Sequence, residues 1–342
     1  MKDTTPLVYI SLLNWNTCAD TLSCLQALAA LETPNARLIV VDNASTDGSP
    51  QVLRRARSDA TLICAADNLG YAGGHKLALD LALDENADLL WLVNPDIQFS
   101  PEVLRQLIAA YLRRGEGIYG SLPLHRDPPF RVGYSAWPVH ADGTPRLEGR
   151  ILCWGQTYRE TARSGAESSP ILRVANVHGC SMLIPLAVVR AHGFMDESYF
   201  LYGEEYDYCF RLARRGAPSY LVPASVVFHR SMPSARRSES LGVVLRSYYL
   251  TRNLLVLRKR HWGPADFWAE TKRQLALCWS SWAEIAGRRR PAASLRDPYY
   301  RLLGVRDALV GRMGKTLRPE DFVSFSRAEE AEEEQETGGT TR

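Results

Sequence analysis

Apolar residues fall in short blocks along the first 120 positions, with polar or helix-patterned stretches between them. Blocks of strand length lie at Leu7–Leu13, Arg37–Val41, Thr61–Ala65, Leu89–Val93 and Gly117–Leu122. Helical periodicity fills the intervals at 18–31, 49–57, 74–86 and 101–114. Ser100-Pro101-Glu102 opens the last of these with Ser as cap and Pro at the first helical position. Strands that are apolar throughout, separated by helices, predict a parallel sheet covered on both faces. Such sheets bind ligands outside the C-terminal ends of their strands.

Those strand ends are polar here. The first runs into Asn14-Trp15-Asn16 and the second into the segment Asp42-Asn43-Ala44-Ser45-Thr46-Asp47-Gly48. The third runs into Asp67-Asn68-Leu69-Gly70-Tyr71-Ala72-Gly73-Gly74 and the fourth into Asn94-Pro95-Asp96. Beyond them, 123–170 is rich in Pro, Gly and Arg and reads as an irregular insertion or long hairpin. Short apolar segments follow at Ile171–Val177 and Cys180–Ile184, then a helix from Pro185 to His192 and a strand at Ser219–Val222. The strand-like run that follows it ends in His229. From 243 to 287 the pattern is helical, broken at Gly263-Pro264.

Composition adds exclusions. The chain has 342 residues, 46% hydrophobic and 23% charged, so it is neither collagenous nor disordered as a whole. Seven cysteines are spread without a CxxC pair. That spacing argues against a zinc site or disulfide framework and favours a reducing compartment. No run reaches the length of a membrane-spanning helix, and the first residues lack the pattern of a signal peptide. The expectation is a cytoplasmic protein, soluble or peripheral on the inner face of the plasma membrane.

The formal charge is only +3. That total conceals segregation: Leu245–Arg318 carries a net +11, and Pro319–Arg342 a net −6. The acidic tail has the composition of a disordered segment. In the basic region Trp262, Phe267, Trp268, Trp279 and Trp282 stand among Arg246, Arg252, Arg258, Lys259, Arg260, Lys272 and Arg273. Aromatic and basic residues together on helices suit either an anionic membrane surface or a solvated face packed on the rest of the chain. No nucleic-acid fold signature accompanies them.

The candidate chemistry sits at the strand ends. Asp42 ends a buried strand, where a carboxylate either caps the next helix or binds a ligand. The Gly-rich turn from Asn68 to Gly74 could let a backbone approach an anion, though it matches neither GxGxxG nor the P-loop. Asp96 offers one hard oxygen ligand, enough for a divalent cation that completes its shell with phosphate and water. Glu204, Glu205 and Asp207 form the densest acidic cluster. They either complement a helix N-terminus or supply a general base of raised pKa. His229 is either structural or completes the shell of a metal at Asp96.

The order of "NWNT", "VVDNASTDGS", "NLGYAGG", "NPD", "FLYGEEYDYCFRLARRG", the strand-end His229 and "YYLTRN" resembles the family 2 glycosyltransferases of GT-A fold, rhamnosyltransferase-like branch, across residues 7–260. The resemblance implies an α/β fold: a Rossmann-like mixed or parallel central sheet flanked by helices, with a C-terminal helical extension. Its catalytic domain would take 1–242, with a nucleotide-sugar half to 122 and an acceptor half from 123. A helical basic region at 243–318 and the acidic tail at 319–342 would follow.

It further implies that Asp42 holds the base of a nucleoside-diphosphate sugar, beside Asn14, Asn43 and Ser45, and that Asn68 and Gly70 lie under the ribose and diphosphate. Asn94 stands where the family's DXD motif has its first Asp, so Asp96 becomes the main ligand of Mg²⁺ or Mn²⁺, with His229 behind it. Gly179 matches the acceptor side. Glu205 stands where the family's catalytic Asp is usual, so it is the implied base, with Asp207 or Glu204 as alternatives.

The implied reaction is inverting transfer, with dTDP-L-rhamnose as donor or, alternatively, a UDP-sugar or other NDP-sugar. The implied acceptor is a saccharide or lipid-linked saccharide of a cell-surface polysaccharide. Two other readings compete. A nucleotidyltransferase would need a Gly-rich basic first loop, which "LLNWNTCAD" lacks. The Asn-for-Asp and Glu-for-Asp departures would also suit a non-catalytic nucleotide-sugar-binding protein.

Overall fold

The computed structural model describes residues 5–33, 35–56, 59–126, 128–134, 137–140, 145, 171–230, 244–287 and 296–319. The insertion expected at 123–170 falls largely outside these residues, as does the acidic tail from 320. The chain divides into two compact units. One comprises 1–197 and 204–231; the other comprises 198–203 and 232–342.

The first unit is built on a mixed sheet. Its strands are β1 (Val8–Asn14), β2 (Ala36–Asp42), β3 (Thr61–Cys64), β4 (Leu89–Val93), β5 (Ile97–Phe99), β6 (Ile118–His125), β7 (Leu172–Val174), β8 (Ser181–Pro185) and β9 (Ser219–His229). The order is β3-β2-β1-β4-β8-β6-β9-β5, with β7 also paired to β9. Strands β3, β2, β1 and β4 run parallel, as their apolar blocks predict. The sheet as a whole is mixed, as the resemblance allows: β6 keeps the direction of the first four strands, while β8 is antiparallel to both β4 and β6, and β5 and β7 are antiparallel to β9. An apolar run of five residues carries no sign of its direction, since both faces are buried either way.

Two helical layers account for those all-apolar strands. Along β4, Leu90 and Leu92 join one core while Leu89, Trp91 and Val93 join the other, the two-residue alternation of a strand buried on both faces. Helices α3 (Gly70–Asp84), α5 (Leu186–His192) and α6 (Glu204–Ala213) cover the first face. Helices α1 (Cys18–Ala29), α2 (Ser49–Ala56) and α4 (Val103–Arg114) cover the second.

Three details differ from the sequence pattern. Strand β9 is one strand through His229, with its register against β6 shifting after Ser121 and Val222. Pro223 lies at that irregularity, where a missing ladder donor is tolerated. Strand β5 is too short to give a periodic signal. Helix α3 begins at Gly70, so the Gly-rich stretch is its first turn and not a loop before it. A Cβ on Gly73 would lie 2.9 Å from Leu69 Cβ, and one on Gly74 would lie 2.5 Å from Leu13 Cδ1. Gly74 thus lets the helix pack close to β1 and Gly73 leaves room for Leu69 at the helix start; only Gly70, at φ +73°, requires glycine for its backbone.

The second unit is helical. A π-turn at Arg246–Leu250 leads into α7 (Thr251–His261), followed by α8 (Pro264–Ala286) and α9 (Arg296–Leu309). The break between α7 and α8 falls at Gly263, φ +96°, with Pro264 at the first helical position, as the sequence predicts. Helix α9 is not evident from the pattern, because Gly304 sits in the middle of it. A Cβ on Gly304 would lie 2.6 Å from the Tyr248 carbonyl oxygen, so this glycine is the point of close helix crossing.

Candidate active site

The C-terminal ends of β1, β2 and β3 are tied into one hydrogen-bonded network. The Asn14 amide donates to Asp42 Oδ1 (2.7 Å) and to Ser45 Oγ (3.0 Å). Its oxygen accepts from Thr21 and Thr17. The second oxygen of Asp42 accepts from the Ser45 backbone N–H at 2.9 Å. The Asn43 amide donates to Asn68 Oδ1 and the Gly70 carbonyl, while its oxygen accepts from the Leu69 N–H. Asn68 Oδ1 also accepts from the Gly70 N–H.

The structure therefore brings Asn14, Asp42, Asn43, Ser45, Asn68 and Gly70 together. Four of them (Asn14, Asp42, Asn43 and Asn68) are almost fully buried. Buried amides and carboxylates are tolerated only when so bonded. Asp42 thus closes the loop after β2 as well as standing at the ligand edge of the sheet.

Asp96 follows β4 and precedes β5, whose Ile97 pairs with His229 of β9. That register sets Asp96 Oδ2 3.3 Å from His229 Nε2, with both side chains about a quarter exposed. Asp96 Oδ1 is buried and has no hydrogen-bond partner. Asn94 is held by its backbone, its N–H donating to the Cys180 carbonyl at 3.0 Å. A hard, unpartnered carboxylate oxygen beside an imidazole fits a divalent cation as half of a shell. No group of three or more His, Cys, Asp or Glu side chains placed to hold a metal occurs among the described residues. The remaining ligands would have to come from substrate and water.

His178 is a neighbour the motif reading passed over. Its ring lies edge-on to His229 at 5.5 Å, and its Nδ1 accepts from the Cys180 N–H. Burial, followed by the field of His229, pushes its pKa down to about 3, so it is a neutral imidazole. Its only signal in the sequence is its place in a polar break between two apolar strands.

The acidic cluster opens α6. Glu204 and Asp207 are buried and Glu205 is partly so. Asp207 Oδ2 accepts from Arg211 Nε at 2.7 Å, one turn on, and Arg211 also bonds the Phe194 carbonyl. Glu205 and Glu204 raise the pKa of Tyr71 after burial, and Glu205 does the same to Tyr206. The thiol of Cys180 is raised by burial, then by Asp96, then by Glu205. One buried group thus feels both the Asp96 carboxylate and the Glu205 carboxylate. The Tyr71 hydroxyl donates to the Gly179 carbonyl at 2.5 Å. A Cβ on Gly179 would come within 3.0 Å of that hydroxyl, which explains the glycine.

Comparison with known proteins adds a family to this geometry. Residues 12–161 match the family model "Glycosyl transferase family 2". Over these residues, fewer than half of its length, the chain is similar to the family 2 glycosyltransferases. It is 28% identical over 184 residues to a low-salt glycan biosynthesis hexosyltransferase of Haloferax volcanii, a match covering 52% of this chain and 54% of that protein. The chain thus spans about half the length of that relative. It is 28% identical over 257 residues to the N-acetylglucosaminyl-diphospho-decaprenol L-rhamnosyltransferase of Mycobacterium tuberculosis, covering 70% of this chain and 81% of that one.

Among solved structures it is similar to a mannosyltransferase from Pyrobaculum calidifontis in complex with GDP-Man and Mn2+. That similarity has a TM-score of 0.55 at 14% identity and covers 91% of this chain and 89% of the other. The likeness is one of fold, and it is the GT-A fold that the order of motifs implies.

Proposed function

We propose that the chain acts as a family 2 glycosyltransferase, moving a hexosyl group, with inversion, from a nucleoside-diphosphate sugar to the hydroxyl of a saccharide or lipid-linked saccharide. L-rhamnose is the sugar that the mycobacterial relative's name supports, with dTDP-L-rhamnose as the donor the motif resemblance implies and a UDP-sugar or other NDP-sugar as the alternative. The observation that carries the reading is Asp96 beside His229 at 3.3 Å, its Oδ1 buried and without a hydrogen-bond partner, at the strand-end edge of the sheet.

The roles divide by environment. The Asn14–Asp42–Ser45 and Asn43–Asn68–Gly70 networks hold the base, ribose and diphosphate ends of the donor. Asp96 and His229 would hold Mg²⁺ or Mn²⁺, which when bound stabilises the charge of the departing diphosphate. Glu205 takes the proton of the acceptor hydroxyl as that oxygen attacks the anomeric carbon opposite the leaving diphosphate. Asp207 is neutralised by Arg211, so it serves to fix α6 in preference to acting as base. Glu204 is buried beside it and tunes the local field.

A second proposal, separable from the first, concerns the helical unit. On α8, Trp268, Leu275 and Trp279 are exposed, Trp279 by 74%, with the exposed Lys272 among them. No described helix is long and apolar enough to cross a membrane. Tryptophan and lysine on one outward helix face support peripheral contact with an anionic bilayer. Co-sedimentation with phosphatidylglycerol vesicles should fall in Trp268→Ala/Trp279→Ala and be absent with phosphatidylcholine alone.

The decisive experiment is transfer from a panel of NDP-sugars with Mn²⁺ or with chelator, the product anomer being read by NMR. Inverted product formed only with metal is expected. Retained configuration, or full turnover in chelator, overturns the reading.

A further inference from the structure

The link from β7 to β8 runs through the core of the first unit. Val174, Ala175 and Val177 are buried, and a Cβ on Gly120 would lie 2.4 Å from Val177 Cβ, so the segment is pressed against β6. Asn176 stands among these apolar residues, wholly buried. Neither end of its amide has a hydrogen-bond partner among the described residues. An amide in such a place costs free energy unless something bonds it, and an apolar residue would pack there without that cost. The Tyr134 hydroxyl shares the condition, buried and without a partner.

Both groups act on Tyr206, the residue after Glu205. Asn176 is close enough to the Tyr206 hydroxyl to lower its pKa, without the geometry of a hydrogen bond. The Tyr206 phenol in turn raises the pKa of Tyr134, second only to burial. The Tyr206 ring is partly exposed and meets the partly exposed Trp137 ring at 5.9 Å, tilted by 53°. The Trp137 carbonyl accepts from the Ala175 N–H at 2.8 Å, which fixes that aromatic wall beside Asn176. The Tyr134 ring stands edge-on to His178 at 6.0 Å, and His178 stands edge-on to His229. A chain of neighbours thus leads from Glu205 through Tyr206, Tyr134 and His178 to His229, all within the first unit.

The polar groups here are neutral and two-sided. An amide offers donors and acceptors at once, and so does a phenol. Burial keeps both phenols protonated and His178 uncharged. The strongest charge acting on Tyr206 is the Glu205 carboxylate, and none of the largest fields on either phenol comes from a cation. Neutral donors and acceptors beside aromatic faces suit a ring bearing hydroxyls. A carboxylate on that ring would meet Glu205 with no cation to offset it.

We propose that Asn176, Tyr134 and Tyr206, walled by Trp137, form a subsite for a neutral pyranose of the acceptor, setting its reacting hydroxyl against Glu205 and excluding acidic sugars. The hydroxyls of that ring supply the partners that Asn176 and Tyr134 lack. The proposal rests on the reading of Glu205 as the base that faces the acceptor.

Saturation-transfer NMR on the full chain tests it, comparing methyl glycosides of neutral hexoses with methyl glucuronide. The parent should bind at least one neutral glycoside and not the glucuronide. Asn176→Leu keeps the branched shape without the amide. It should weaken that binding roughly tenfold or more, with a melting temperature at or above the parent's. Tyr206→Phe should weaken it about threefold. In transfer to the same glycoside, both variants should raise acceptor KM accordingly and leave donor KM within about twofold. Parent-like binding in both variants overturns the proposal. So does equal binding of the glucuronide, or a parent that binds no neutral glycoside. A raised donor KM with unchanged acceptor KM overturns it too, by giving the subsite to the donor sugar. Should Asn176→Leu not fold, Tyr206→Phe decides alone. A parent that binds a neutral glycoside through Asn176 but transfers from no NDP-sugar fails the glycosyltransferase reading and keeps the sugar site.

Discussion

Asp96 and His229 meet across 3.3 Å because β5 and β9 pair in a register that sets Ile97 opposite His229. The pair is 133 positions apart in sequence, and the other carboxylate oxygen, Asp96 Oδ1, is buried without a partner. Such an oxygen is costly to bury unless something binds it. Asp96→Asn should therefore reduce metal-supported transfer by about 100-fold or more. It should also abolish the Mn²⁺-dependent rise in melting temperature while leaving the metal-free melt close to that of the parent. Turnover against Mn²⁺ concentration and a thermal melt in chelator check the two halves of this expectation.

Glu205 and Asp207 stand two residues apart on one helix and should respond in opposite ways. Glu205→Gln should lower kcat by roughly 10²–10⁴-fold with little change in stability. Asp207→Asn removes the fully buried partner of Arg211, which is itself only partly exposed. Breaking a buried pair costs several kcal/mol, and solvent at the arginine end trims that to about 2–3 kcal/mol. The loss should appear as a lower denaturation midpoint, with kcat of the folded fraction largely kept. A transfer-rate assay paired with urea melts separates the two residues.

The parallel half of this sheet was legible because each apolar block was followed by a polar strand end and a helix. The same regularity hid the antiparallel insertion: Ser181–Pro185 is buried on both faces, so its pattern has no direction. The polar strand-end residues were legible as a cluster, since loops after parallel strands converge at one edge. His178 and Tyr71 were not, because their roles come from pairings with residues distant in sequence, His229 and Gly179. The glycines after Asn68 were legible as a motif but not in their use, which is packing against Leu13 and Leu69 for two of them.

Asn43 uses both ends of its amide inside the strand-end network proposed to hold the donor, donating to Asn68 and Gly70 and accepting from Leu69. Asn43→Asp keeps the shape but replaces two donated bonds with oxygen-to-oxygen contacts in a buried site. A loss of about 2–3 kcal/mol is expected, together with a donor KM raised about tenfold or more as the Asn68–Gly70 turn loosens. Asn43→Ser, which is smaller and uncharged, should lose less of both. Thermal melts and donor titration check the ranking.

His75 gives the fold a pH dependence of its own. It lies wholly buried in α3, with its Nδ1 2.7 Å from Ser11 Oγ of β1. Burial drives its pKa down to about 3, so the folded protein keeps the ring neutral across the working range. Unfolded, the same ring titrates near pH 6.5. Below that value the unfolded chain binds a proton that the folded chain refuses, so stability falls as pH is lowered and is undiminished above it. The slope approaches roughly 1 kcal/mol per pH unit between about pH 6 and pH 4, and ends only near the folded value. His178, held neutral in the same way, adds a similar slope. His75→Leu removes one of the two and leaves the other, so its melting temperature should decline less steeply than the parent's from pH 7 to pH 4.5. Parallel curves for the two proteins would show that His75 takes its proton within the folded state.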